Sequence, residues 1–501
     1  MKKHTFYSLI HIFFFFSTLS ICQTTFFKTF GNPAEGRTDQ GLALIQTEVG
    51  EYIVAGEYNR YSEGPPNHYY GDVYLIRTSE FGDTIWTQTY GDSSTWESAY
   101  AIEKNGTGGY IISAYNFSQT KLWLLNLDEQ GLLLWAKTYP LGIGNCIKRT
   151  SDGGYIITGT GGNDGSDLFL LKIDSQGETL WLKSYGNPNQ DEGRYVQQTT
   201  DGGYIITGFT EFPAPRGSDI WLLKTDYKGD TLWTKTYGGK YFDGAFSVSE
   251  TKNGGYFITG QYTVDGELGL EIHIWLLKTD SNGDTIWTKK INNGSWGDYA
   301  YSCKPTSDSG FIIVGETTYD NFDSDIYLLK LDRDYNVEWS NTIGRDLVEN
   351  GDEKRFRGND VTETVDGGYL ITGFKRVEIE WDKYQDLCIV KTNNKGQLTD
   401  VIETKTKIPL TFELSQNYPN PFNPSTEIEF QLLKQDMVSL KIFDLLGNEI
   451  ETLLNEEKEK GCYKVKWDGK DKNGVSVGTG VYLYQLRTGV FEQSRKMILL
   501  K

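Results

Sequence analysis

One pattern of apolar and polar positions returns seven times between residues 40 and 400. Its clearest copy opens with Asp201-Gly202-Gly203-Tyr204-Ile205-Ile206-Thr207-Gly208. Asp219-Ile220-Trp221-Leu222-Leu223-Lys224-Thr225-Asp226 follows, and then Gly229-Asp230-Thr231-Leu232-Trp233-Thr234-Lys235-Thr236-Tyr237-Gly238. The aromatic of the first element falls at Tyr52, Tyr110, Tyr155, Tyr204, Tyr256, Phe311 and Tyr369, at spacings of 45 to 58 residues. The tryptophan of the third recurs at Trp86, Trp135, Trp181, Trp233, Trp287 and Trp339. Each unit reads as four strands, here called a to d: residues 194–199, 204–208, 220–225 and 231–237 in the clearest copy. Gly-Gly between a and b, and Asp-x-x-Gly-Asp between c and d, supply the positive-φ positions that tight hairpins need. Strand c is apolar without alternation, which predicts burial on both faces, as in a sheet sandwiched between neighbouring sheets.

Four-stranded units of about 50 residues stacked face to face make a β-propeller. Seven copies therefore predict an all-β chain with a seven-bladed β-propeller over residues 23–400. The ends of the array support closure. Strand d of the seventh unit, residues 396–400, lacks both the tryptophan and the Lys-Thr-Tyr-Gly run. The missing piece stands at the other end of the array, as Phe27-Lys28-Thr29-Phe30-Gly31. This segment is expected to complete the last blade and remove the open sheet edges.

The a–b and c–d turns repeat nearly unchanged, whereas the b–c segments vary: 57–71, 115–120, 261–272 and 374–385 differ in length. The d–a segment 345–358 is also expanded. Variation on a shared scaffold predicts that this loop face makes the specific contacts. Its aromatics, Tyr61, Trp96, Tyr241, Trp296 and Trp381, form the candidate ligand face, with acids such as Glu57, Asp191, Glu192 and Asp298 among them. Aromatic plates with carboxylate acceptors suit a glycan or a basic protein surface; ordinary packing and solubility explain the same residues.

Composition narrows the chemistry. The 501 residues carry a net charge of −19, with 56 Gly, 13 Trp, 32 Tyr and 25 Phe but only 4 His. An acidic chain is a poor partner for nucleic acid, which requires a basic surface. His4 and His11 lie in the expected leader, and His68 and His273 are far apart, so histidine-based catalysis and histidine metal sites have little material. Lys2 and Lys3, the apolar run from Phe6 to Leu19, and Ser20-Ile21-Cys22 before Gln23 read as an export signal over residues 1–22, cleaved between Cys22 and Gln23. The rival is a lipoprotein signal ending at Cys22, in which Ile21 is bulkier than the motif asks. No further run is long and apolar enough to predict a transmembrane segment. Cys146, Cys303, Cys388 and Cys462 form no CxxC pair and are expected as buried free thiols.

The Asp280-Ser281-Asn282-Gly283-Asp284 turns resemble part of a calcium loop but lack its full ligand spacing and bidentate glutamate. No metal ligands are assigned, and no cofactor is expected beyond a weak case for calcium. These turns also resemble the Asp-box of sialidase propellers, with spacings one residue too long. No Gly-x-Ser-x-Gly elbow, HExxH, P-loop or dinucleotide fingerprint occurs, and no catalytic residue is assigned.

The repeat stops near Asp400. Residues 401–411 read as a linker and 412–501 as a separate domain of short strands: 427–432, 437–443, 449–454, 461–467, 480–486 and 492–500. This predicts an immunoglobulin-like β-sandwich. The net charge is −1 over residues 408–501 and −20 over residues 23–407. Within this domain, Asn417-Tyr418-Pro419-Asn420-Pro421-Phe422-Asn423-Pro424, Phe443 to Gly447, Gly480-Val481-Tyr482 and Lys496 to Lys501 occur in order. These motifs resemble the type A C-terminal sorting domain of the type IX secretion system found in Bacteroidota-like bacteria. The resemblance implies export to the periplasm, passage across the outer membrane by the type IX secretion machinery, and release or attachment at the cell surface. The function expected is a secreted or cell-surface binding scaffold whose loop face takes a glycan or protein. The alternative is an extracellular carbohydrate-active hydrolase or lyase using carboxylates.

Overall fold

The computed structural model describes residues 25–30 and 38–500, apart from 63–67, 92–94, 162–166, 213–216, 253, 267–268, 294–295, 320–322, 345–346, 348–352, 380–381, 399–403, 407–412, 415–416, 418–419, 433–434, 445–446, 459–460 and 490. The expected cleavage site, Cys22 and Gln23, lies outside the described residues, as do Trp381, Tyr418, Pro419 and Lys501.

Strand β1 (Phe26–Phe30) precedes the repeat. Unit 1 is β2 (Gln40–Gln46), β3 (Tyr52–Ser62), β4 (His68–Thr78) and β5 (Thr84–Tyr90). Unit 2 is β6 (Glu97–Lys104), β7 (Tyr110–Asn116), β8 (Lys121–Leu127) and β9 (Leu133–Tyr139). Unit 3 is β10 (Gly144–Arg149), β11 (Tyr155–Thr160), β12 (Leu168–Ile173) and β13 (Thr179–Tyr185). Unit 4 is β14 (Asp191–Gln198), β15 (Tyr204–Glu211), β16 (Ser218–Thr225) and β17 (Thr231–Tyr237). Unit 5 is β18 (Gly244–Glu250), β19 (Tyr256–Asp265), β20 (Leu270–Thr279) and β21 (Thr285–Ile291). Unit 6 is β22 (Gly297–Pro305), β23 (Phe311–Thr318), β24 (Ser324–Leu331) and β25 (Val337–Ile343). Unit 7 is β26 (Glu353–Glu363), β27 (Tyr369–Ile379) and β28 (Asp382–Thr392), and β1 pairs antiparallel with β28 as its fourth strand. The sheets stack in a propeller-like arrangement.

Local chemistry explains why these residues make hairpins. In the a–b turn of unit 4, Asp201 accepts hydrogen bonds from the Thr199 hydroxyl at 2.6 Å and the Gly203 amide at 2.9 Å, while Gly202 adopts φ +83°. The buried Lys224 ammonium of strand c reaches the same carboxylate at 2.9 Å. The pair recurs as Lys172–Asp152, Lys330–Asp308 and Lys391–Asp366. In the c–d turn, Asp226 accepts from the Lys228 and Asp230 amides. Asp280 does the same with Asn282 and Asp284, so the turn itself accounts for the acid in the calcium-like segment. In units 3 and 6 strand c is buried along its length, as its unbroken apolar run predicts.

Each neighbouring pair of units shares one apolar cluster. A further cluster of Phe26, Phe30, Leu44, Tyr52, Tyr74, Leu370 and Ile389 joins unit 7 to unit 1. That last seam repeats the polar contacts of the others. Lys183 reaches Asp230 at 2.9 Å and Lys235 reaches Asp284 at 2.8 Å, and Lys28 of β1 reaches Asp83 at 2.6 Å. The Ser151 amide donates to Gln198 and the Thr200 amide to Glu250, and the Val365 amide donates to Gln46 of unit 1. Gly229 faces the Trp181 ring of the preceding unit, and Gly82 faces Phe26 in the same way.

Two details depart from the sequence reading. The long b–c segments of units 1, 5 and 7 are largely extended hairpins rather than loops. The ladder of β19 and β20 continues through Tyr262↔His273 to Asp265↔Leu270, and that of β27 and β28 reaches Ile379↔Asp382. β-branched and aromatic residues in these arms favour continued pairing. Within the expected linker, β29 (Thr404–Thr406) pairs parallel with β1.

The C-terminal region forms two facing sheets. One contains β30 (Glu413–Leu414), β31 (Thr426–Leu432) and β34 (Gly461–Trp467); the other orders β33 (Glu449–Lys458), β32 (Asp436–Phe443), β35 (Gly480–Arg487) and β36 (Glu492–Leu499). Alternating inward residues, among them Ile428, Phe430, Leu440, Ile442, Tyr484, Met497 and Leu499, fill the space between them.

Candidate functional site

Of the predicted ligand-face aromatics, Trp96, Tyr241 and Trp296 have described side chains, and they stand beside different units. Trp96 precedes β6, exposes 36% of its surface, donates its indole N–H to Glu57 at 3.1 Å and packs on Phe117. The Tyr241 hydroxyl donates to Asp265 and accepts from Lys240, which also lies over its ring. Trp296 precedes β22 and is 48% exposed. Tyr61 lies in β3, opposite Tyr69 in the register. Trp96 and Tyr241 are thus engaged with their own neighbourhoods, and Trp296 is the most open of the three whose side chains are described.

A second site lies on the axis. The seven inner strands β2, β6, β10, β14, β18, β22 and β26 surround a cavity of about 190 Å³. Each of these strands carries a β-bulge at the same place, immediately after a Gly or Ala that packs against the preceding unit. The small residue is required there: a Cβ on Gly193 would overlap Thr158, and one on Gly41 would overlap Thr372. The extra residue of each bulge is Leu42, Tyr100, Asn145, Arg194, Phe246, Tyr301 or Asn359, and all seven line the cavity. Bulges re-aim side chains and are enriched beside functional sites. The framework repeats, and this position holds five residue types across the seven units.

Charge and aromatic surface meet in the wall. Lys148 lies 5.5 Å from the Tyr195 ring centre and Lys304 lies 5.7 Å from it. Lys148 pairs with Glu103 at 3.1 Å and Lys304 with Asp360 at 3.4 Å. Burial disfavours the Lys148 cation, but Tyr195 and Glu103 outweigh it and hold the ammonium above its ordinary value. Arg194 pairs with Glu192 at 2.7 Å, and Asn145 donates to the same carboxylate at 2.9 Å. Burial nevertheless pushes Glu192 up, as it does Glu57. Arg357 stacks 3.8 Å from the Tyr301 ring centre, and its buried Nε–H has no hydrogen-bond partner among the described residues. Tyr301 packs edge-on against Phe246 and parallel to Tyr299, and its hydroxyl donates to Glu316 at 3.5 Å.

The residues of the expected sorting motif make structural contacts in this domain. The Asn417 amide N–H donates to the Tyr484 hydroxyl at 2.8 Å, and its side chain donates to Thr426 at 2.9 Å. Asn420 accepts from the Ile498 amide at 2.9 Å. Phe422 is buried against Trp467 and exchanges two backbone hydrogen bonds with the last strand. Pro421, Asn423 and Pro424 are described, with cis bonds at Asn420–Pro421 and Asn423–Pro424. Gly447 takes φ +84° in the turn before β33. Gly480 opens β35, Tyr482 is buried and donates its hydroxyl to Gly478, and Lys496 is exposed on β36. β36 is an edge strand of its sheet.

Cys146, Cys303 and Cys388 are free and buried; burial pushes the thiols of Cys303 and Cys388 up to about 12. Among the described residues no three His, Cys, Asp or Glu side chains converge as a metal-binding group. No helix among them is long and apolar enough to cross a membrane. The axial cavity is the part of the site that the sequence reading missed. Its signal is the residue that follows the small Gly or Ala of strand a, which is Leu, Tyr, Asn, Arg or Phe from unit to unit.

Among protein families, the FlgD Ig-like domain matches residues 420–488. No curated protein matches the chain. Among solved structures, PorZ of Porphyromonas gingivalis, an essential bacterial surface component of the type IX secretion system, is 10% identical, with TM-score 0.33 over 92% of this chain and 70% of that one. The β-propeller domain of the Trilobed protease from Pyrococcus furiosus is 9% identical, with TM-score 0.40 over 73% of this chain and 96% of that one. A Dyadobacter fermentans protein of unknown function is 11% identical, with TM-score 0.39 over 73% and 98%.

Proposed function

We propose that this chain is a binding scaffold delivered to the cell surface or beyond by the type IX secretion system. In this reading residues 23–400 form a closed seven-bladed β-propeller that binds ligand, and residues 412–501 form the sorting domain. The observation that carries the binding part is the ring of seven bulges, which brings seven side chains of five types to one axial cavity. Seven seams of one kind, including the seam between units 7 and 1, support the closed ring. The Ig-like family match and the ordered motifs from Asn417 to Lys496 support the sorting role. Leader and linker keep the boundaries 1–22 and 401–411.

Deletion of residues 412–501 tests the address. The truncated chain is expected to accumulate in the periplasm while the full chain reaches the surface or the medium. Normal surface appearance of the truncation would contradict the sorting role. The alternative, a carboxylate hydrolase or lyase, draws support from Glu57 and Glu192, whose carboxyl groups are both raised by burial near Tyr100. Polysaccharide turnover by the full chain that is lost in Glu192→Gln would favour that alternative.

A further inference from the structure

The wall of the axial cavity carries information about the ligand. Its cations are Lys148, Lys304, Arg194 and Arg357. The first three each have a carboxylate partner, in Glu103, Asp360 and Glu192. Arg357 has no ion pair among the described residues. Its guanidinium carbon lies 3.8 Å from the Tyr301 ring centre, and its Nε–H is buried without an acceptor among the described residues. A guanidinium fixed in a wall and lacking an acceptor is prepared for a planar oxyanion, because its fork matches the two oxygens of a carboxylate. One cation in excess of the paired groups suits a monoanion better than a dianion.

The rest of the wall suits a ring bearing hydroxyl groups. Tyr100, Tyr195, Phe246 and Tyr301 supply aromatic surface, and the amides of Asn145 and Asn359 supply polar atoms. Convergent polar groups on an otherwise aromatic wall are the usual composition of a small-molecule site. The cavity is small, at about 190 Å³, so the ligand is of monosaccharide size.

We propose that the axial cavity binds a carboxylate-bearing monosaccharide unit, free or at the end of a glycan, with Arg357 receiving the carboxylate and the aromatic bulge residues receiving the sugar face. The proposal rests on the binding-scaffold reading and adds its ligand class.

The test is a titration of the purified full chain with D-glucuronate, D-glucose, methyl D-glucuronate ester and inorganic phosphate. Saturable D-glucuronate binding is expected, with no binding of glucose or the neutral ester at concentrations up to about 50 mM. Arg357→Gln is expected to weaken D-glucuronate binding about tenfold or more, the scale of a lost charge-assisted hydrogen bond. Tyr227→Ala, exposed in the c–d turn of unit 4 and outside both candidate sites, should leave it unchanged. Arg357→Lys, which keeps the charge but loses the fork, should fall between. Equal binding of D-glucuronate and its neutral ester would overturn the proposal, and this comparison needs no variant. So would tighter binding of phosphate, failure of D-glucuronate to bind, or full affinity in a folded Arg357→Gln protein. Binding of another glycan lost in Trp296→Ala, with no response to D-glucuronate, would overturn the ligand assignment and leave the scaffold reading standing.

Discussion

Lys391 is fully buried, and the carboxylate of Asp366 meets it at 2.9 Å. Burial lowers the ammonium from its ordinary value, and Asp366 offsets part of that cost. Asp366→Ala would leave the cation buried without its counter-charge, at a cost of about 3–5 kcal/mol. Urea unfolding should show that loss, and Lys391→Met in the same chain should recover much of it. Acid sensitivity follows from the same motif. Thr, Lys and glycine N–H donors outweigh burial and hold Asp152, Asp201 and Asp308 down to about 2. A carboxylate lowered in the fold adds stability above its unfolded value, near 4, and loses it as pH falls toward 2. Asp243 has the opposite sign. Burial, aided by Asp219, pushes it up to about 6 against hydrogen bonds from the Thr263 and Gly239 amides. Its fold binds the extra proton, so its contribution improves as pH falls from 7 to 5. Thermal unfolding across pH should therefore show stability rising slightly to about pH 5 and collapsing between about 4 and 2. A flat profile from 4 to 2 would contradict the Lys–Asp pairs.

At the scale of elements, the repeat was readable because each turn has its own chemistry. Strand d of unit 4 runs over residues 231–237 as the pattern implies, and the six expected strands of the C-terminal domain all form, with their ends shifted by a few residues at most. The extended hairpin arms were not readable, since length variation looks the same in a loop and in a longer ladder. The bulges were hidden for another reason. A bulge adds a residue without breaking the apolar pattern, so Arg194 and Tyr301 read as ordinary strand positions until their register is known. The polar aromatics drew attention to Trp96 and Tyr241, yet both have local partners that sequence spacing does not reveal. Close packing beside each bulge makes a sharper prediction. Gly193→Val would force its side chain into Thr158 and should destabilise the propeller by about 1–3 kcal/mol in urea unfolding.

At the scale of the whole molecule, the seam between units 7 and 1 decides what kind of object the repeat builds. An open stack would leave β28 as an edge and the inner strands without a common axis. A ring turns the inner strands into one cavity wall and spends the N-terminal strand as its clasp. Phe26 and Phe30 of β1 touch both sides, packing with Leu387 and Ile389 of unit 7 and with Tyr52 and Tyr74 of unit 1. Hydrogen exchange of the full chain and of a chain lacking residues 25–30 measures this directly. The ring predicts that the deletion lowers protection in residues 387–392 of unit 7 and also in residues 52–54 and 74–76 of unit 1. Loss of protection confined to residues 387–392, with unit 1 unchanged, would contradict closure and the axial site built on it.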